Sequence, residues 1–103
     1  MKKLAMLFLA LNVNAGDAVN GEAMYNSLGC SGCHGVSGVS SIPVYPSLAG
    51  KDTAFIVKQL KDFQTGARVD STMNAMAPMA AGYEEDIGLY LRERQETNQK
   101  REG

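Results

Sequence analysis

Cysteine and histidine are nearly missing from this 103-residue chain, which has two Cys and one His. A zinc site requires about four protein ligands, or three with a water, so these residues cannot complete one. No strand pattern surrounds the cysteines, which removes the βαβ setting of a thioredoxin-like redox pair. Net charge is also scarce, at -1 near neutral pH. That is too little to indicate a nucleic acid or a membrane surface as partner. The unbroken apolar run Leu4 to Leu11 falls far short of the about 20 residues that span a bilayer, so no membrane span is expected. No carboxylate pair, nucleophile–base set or open metal site is visible, and nothing reads as an enzyme acting alone. Trp is absent, whereas Gly (11) and Met (6) are frequent.

What is present is concentrated. Both cysteines and the histidine fall within Cys30-Ser31-Gly32-Cys33-His34, which has the C-x-x-C-H spacing of a c-type haem attachment site. In a helical turn Cys30 and Cys33 lie on one face, so their sulfurs can form thioethers with the two vinyl groups on one porphyrin edge. His34 follows directly, and its imidazole can hold the iron from below. Gly32 and Gly35 are expected to keep the turn slim where the porphyrin lies against backbone.

The N-terminus reads as a targeting segment. Lys2 and Lys3 precede the apolar run, and Val13-Asn14-Ala15 places small residues at the cleavage positions of a secretory signal peptide. A buried first helix is the competing reading. The expected division is a signal peptide over residues 1–15 and one domain over residues 16–103. Cleavage after Ala15 leaves 88 residues (103 less 15), with 8 basic against 11 acidic side chains and a formal charge of -3. Export to the periplasm agrees with the motif, because bacterial haem attachment takes place outside the cytoplasm. A chain this small has difficulty building a sufficient core alone, and a covalent haem supplies the missing apolar mass.

The rest predicts about three helices and no sheet. Asp17 is an N-cap candidate for a helix to Leu28, with Val19, Met24 and Leu28 as its apolar positions. Gly21 and Tyr25, four apart on one face, suit a close helix crossing. Residues 35–50 form a Gly-, Ser- and Pro-rich loop. Its Ile42–Leu48 part is the expected source of a carbonyl that fixes the second nitrogen of His34, and Leu48 is a candidate to pack on the porphyrin. Asp52 or Thr53 caps a helix to Gln64 with Ile56, Leu60 and Phe63 as its stripe, widened by Phe55 and Val57, and Gly66 stops it. Arg68 can pair with a haem propionate or be a surface charge. Residues 67–82 form an Ala- and Met-rich loop. Glu84–Asp86 open a last helix to Leu91, after which the polar tail is expected to fray.

An iron held by one histidine needs a second axial ligand to stay low-spin, and a thioether is the usual one. Met24 lies on the attachment side. Met73, Met76 and Met79 share one loop, and the residues alone do not separate them.

Taken together, these residues resemble the class I cytochromes c of the small bacterial mono-haem type. The likeness runs from Gly21 and Tyr25 through the attachment motif, Pro46-Ser47-Leu48-Ala49-Gly50, Gln59-Leu60, Phe63 and Gly66-Ala67-Arg68. The run from Met76 to Ala80-Ala81-Gly82-Tyr83 resembles most the cytochrome subunit of flavocytochrome c sulfide dehydrogenases. The resemblance implies an all-α fold around one covalent haem c, His/Met ligation and electron transfer with redox partner proteins. It implies that the Pro46 carbonyl accepts from His34. It also implies Met76 as the ligand, seven residues before the Tyr83 that opens the last helix. Such cytochromes usually carry about one more turn before the aromatic that packs on the first helix. Here Tyr90 follows Ile87 by three residues, so either the helix is shortened or Tyr90 is not that aromatic. Two other readings of the chain are a haem subunit of a larger oxidoreductase and a five-coordinate haem that binds a gas.

Overall fold

Asp17 starts the first helix by accepting the backbone N–H groups of Val19 (2.9 Å) and Asn20 (3.1 Å) on its carboxylate. This satisfies two donors that the first turn leaves without partners. The helix, α1, spans Ala18–Ser27. In this computed structural model residues 16–102 are described, with side chains through Arg94, and the signal segment expected over residues 1–15 lies outside them. Gly29, at φ 87°, turns the chain into the short helix α2, Cys30–His34. A 3-10 turn, Val36–Gly38, and an irregular loop lead to α3, Thr53–Thr65, which ends on Gly66 at φ 86°. Then come α4, Ser71–Met76, a second 3-10 turn, Ala77–Ala80, and α5, Glu84–Glu102. No strand occurs among the described residues, and none of their helices is long and apolar enough to cross a membrane.

The α1–α5 crossing organises the body. At Gly21 a Cβ would stand 1.9 Å from the Asp86 carbonyl oxygen, so only a residue without one lets the two backbones meet. Asp86 secures the crossing from the other side. Its carboxylate accepts the Asp17 N–H and the Asn20 amide, each at 2.8 Å. One turn further along, the Tyr25 and Tyr90 rings meet at 5.6 Å between centroids, tilted by 50°. Tyr90 is 3% exposed, and Tyr25 and Leu91 are fully buried. Tyr90 is therefore the aromatic that packs on α1. Ile56 of α3, Ala80 and Ile87 complete the core.

Four expectations need correction. Val19 is 79% exposed, because the buried face of α1 is the Gly21–Tyr25 line and Val19 sits about two residues off it, on the far side. Residues 71–76 form a helix instead of a loop, because Asp70 caps them through the N–H groups of Thr72 and Met73. The last helix runs on to Glu102, since Arg, Glu, Gln and Lys are good helix formers even where no apolar face remains. Phe55, expected to widen the α3 stripe, is 44% exposed.

Candidate haem site

The site begins with the geometry of α2. Cys30, Cys33 and His34 occupy positions i, i+3 and i+4, which share one helical face, and all three line a single cavity of about 480 Å³. Ser31 and Gly32 point elsewhere. A Cβ on Gly32 would meet nothing within 4 Å, and neither Gly32 nor Gly35 lines the cavity, although Gly29 does. The expected reason for those two glycines is thus replaced. Gly35 is required by its own backbone, at φ 90°, and by the Val39 carbonyl oxygen 1.9 Å from where its Cβ would lie.

Backbone hydrogen bonds then carry the loop back over His34. The Gly38 carbonyl accepts from Leu48 N–H (2.8 Å) and Ala49 N–H (3.1 Å), and the Ser40 N–H donates to Ser47 Oγ (2.9 Å). The Tyr25 hydroxyl donates to the Gly35 carbonyl at 2.7 Å, tying α1 to the residue after the motif. Burial, followed by its neighbours Cys30 and Tyr90, pushes the Tyr25 phenol above its ordinary range, so it stays a donor. These contacts bring the Pro46 carbonyl to 2.8 Å from Nδ1 of His34, which is buried. A carbonyl can only accept, so Nδ1 is the donor in this bond and Nε2 is the nitrogen left to hold a metal.

All seven residues singled out from the sequence line this cavity: Cys30, Cys33, His34, Pro46, Leu48, Arg68 and Met76. Of the methionines, Met73 and Met76 line it, whereas Met24 packs against the core and Met79 is 51% exposed. Arg68 stacks its guanidinium over the Phe63 ring, 4.9 Å from the centroid, and donates to the Gln59 side chain. Ile56, Leu60 and Phe63 form the α3 wall. The helical stripe that marked them as core residues also marks them as cavity lining, and nothing in their spacing separates the two roles.

Three positioning residues escaped the sequence reading. The Asn74 amide donates to the carbonyls of Phe63 and Arg68, both at 2.9 Å, and its oxygen accepts the Asp70 N–H at 2.8 Å. Gln64 donates to the Ala77 carbonyl (3.0 Å) and to the Glu84 carboxylate (2.9 Å). Burial opposes the Glu84 charge, but the Gln64 amide, backbone N–H groups and Lys61 outweigh it and hold this carboxyl below its ordinary value. Asn74 lies in a low-complexity stretch, and Gln64 meets a Glu84 that is 20 residues away, so no periodic signal marks these links in advance.

The donor set fits a large, flat, apolar iron macrocycle. It offers two thiols not bonded to each other, an imidazole whose Nε2 is not taken by the Pro46 carbonyl, thioethers, a mostly apolar wall and an arginine. Burial pushes the Cys30 thiol up, opposite to the lowered thiol of a catalytic Cys-x-x-Cys pair. Among the described residues no group of three or more His, Cys, Asp or Glu could hold a metal ion by itself.

No family model and no curated protein matches the chain. Among solved structures it is similar to a cytochrome c4 from Acidithiobacillus ferrooxidans, at 29% identity and a TM-score of 0.66. The match covers 77% of this chain and 51% of that one, so the chain spans about half the length of the cytochrome. The structure of that cytochrome c4 is described as supporting a complex-induced tuning of electron transfer. The chain thus carries a c-type haem attachment motif at the head of a helical fold similar to that of a class I c-type cytochrome.

Proposed function

We propose that this chain is an exported one-electron carrier, with residues 1–15 as its signal peptide and residues 16–103 as a mono-haem domain. When bound, haem c supplies an iron that gains and loses one electron while its ligands stay in place. Cys30 and Cys33 anchor it through their Sγ atoms. His34 presents Nε2, and the Pro46 carbonyl on Nδ1 fixes its tautomer and ring plane, as a ligating histidine requires. Met76 would supply a thioether donor to the iron, which would raise the reduction potential. Leu48, Ile56 and Leu60, which line the cavity, would keep water from the metal, and Arg68 would pair with a propionate.

The observation that carries this reading is the His34–Pro46 hydrogen bond of 2.8 Å within a cavity that also contains both thiols and two thioethers. Partner proteins meet the mouth, where Val44, Tyr45, Phe55 and Val69 are exposed beside Lys51 and Arg68. A flavoprotein subunit, as the sulfide dehydrogenase resemblance implies, is one such partner. The test is a spectroelectrochemical titration of the loaded protein with carbon monoxide added to the reduced form. A reversible one-electron couple, a methionine-to-iron band when oxidised and no carbon monoxide adduct are expected. Rapid adduct formation with no methionine band would favour the five-coordinate gas binder instead.

A further inference from the structure

Met73 faces the same cavity as Met76, yet the ligand set above gives it no role. The two lie three residues apart on α4, where side chains are neighbours on one side of the helix, and both are half-buried in the cavity wall. Ala75 between them and Met79 beyond them are exposed. The cavity is therefore offered two thioethers of identical chemistry on adjacent turns, each on a side chain with three rotatable bonds.

The segment that carries them is held in place without being tightly packed. No residue of α4 is fully buried. Its attachments are polar and lie at its ends and centre: the Asp70 cap, the Asn74 amide on the Phe63 and Arg68 carbonyls, and Gln64 on the Ala77 carbonyl. Winding changes at Met76 itself, where α-helix gives way to the 3-10 turn Ala77–Ala80. The cause is Pro78, which has no N–H to donate to the Asn74 carbonyl. A 3-10 turn is common at a helix end, and here it makes Met76 the last α-helical residue, with Met73 one turn before it.

We propose that Met73 and Met76 are an exchangeable pair of axial thioethers, with Met76 bound at rest and Met73 taking its place when the winding at this junction shifts. One neutral Sδ lone pair replaces another, so the exchange moves no proton, electron or net charge. The inference rests on Met76 being the resting ligand, and the test separates the two claims. Met73→Leu, Met76→Leu and the double variant are prepared as haem-loaded protein. Leucine keeps the apolar volume and removes the sulfur. The oxidised spectrum reports the methionine-to-iron band, and methyl-labelled methionine in the reduced protein reports which methyl the macrocycle ring current shields. Met73→Leu should keep the resting band. Met76→Leu should also keep a methionine-to-iron band, with a new shielded methyl that belongs to Met73, and the double variant should lose both signals. Loss of the band in Met76→Leu as complete as in the double variant overturns the exchange and leaves Met76 as sole ligand. Loss in Met73→Leu, with Met76→Leu matching the native protein, overturns the assignment of Met76 itself.

Discussion

Substituting Gly21 with alanine tests how the two main helices are joined. The added Cβ would lie 1.9 Å from the Asp86 carbonyl oxygen and 2.4 Å from its carbon, where ordinary contact begins at 3.4 Å. Both atoms belong to the α5 backbone, so no rotamer relieves the clash and the helices must separate by more than 1 Å. Overpacking of this kind costs about 1–3 kcal/mol, and the upper end applies where the obstacle is backbone. Separation also stretches the two hydrogen bonds to the Asp86 carboxylate, for about 1 kcal/mol more, and loosens the Tyr25–Tyr90 contact. Alanine returns about 1 kcal/mol through its better helix propensity. The net loss is about 2–3 kcal/mol, which for a domain of this size lowers Tm by about 10–20 °C. Thermal unfolding of the haem-loaded protein by circular dichroism measures it, with Asn26→Ala on the exposed side of α1 as the control that should change little. A Gly21→Ala variant as stable as the native protein would refute the close crossing.

Two further outcomes follow from the links around α4 and α5. Glu84 is ionised more readily in the folded chain than in the unfolded one, so the unfolded chain binds more protons as the pH falls below about 4.5. The stability from this carboxylate is complete above that value and is lost as pH falls through the lowered folded one. Glu84→Gln should cost about 1–3 kcal/mol at pH 7, with the difference closing toward pH 3, as urea unfolding at a series of pH values would measure. Asn74→Ala leaves the carbonyls of Phe63 and Arg68 without their donor and should cost about 1–3 kcal/mol. It should also weaken the methionine-to-iron band, since α4 loses its hold on α3.

The attachment motif and the helices that frame it could be read because each rests on a local rule. Asp17 caps α1, Gly66 stops α3, and Gly21 with Tyr25 marks the crossing. The course of residues 67–82 could not be read, because Ala- and Met-rich sequence has no period to follow. The Asp70 cap that starts α4 became visible only in the structure. The Asn74–Phe63 and Gln64–Glu84 contacts join residues 11 and 20 apart in sequence, which no window of neighbouring residues shows. Val19 misled because an apolar residue at helical spacing is buried only if a second element covers that face. The tail after Leu91 misled in the opposite direction, as residues of good helix propensity continue the helix without an apolar stripe. The residues alone left Met73, Met76 and Met79 open and the resemblance pointed to Met76; of the three, Met73 and Met76 line the cavity.

Covalent attachment of haem through Cys30 and Cys33 is the claim on which every later step depends. The direct measurement is the intact mass and colour of the protein after acid–acetone extraction, following expression with haem-attachment machinery. The account predicts that the colour stays on the native protein, with the mass of one haem added, and that Cys33→Ala impairs maturation. A native protein that is colourless, or that releases its haem into acetone, would contradict it.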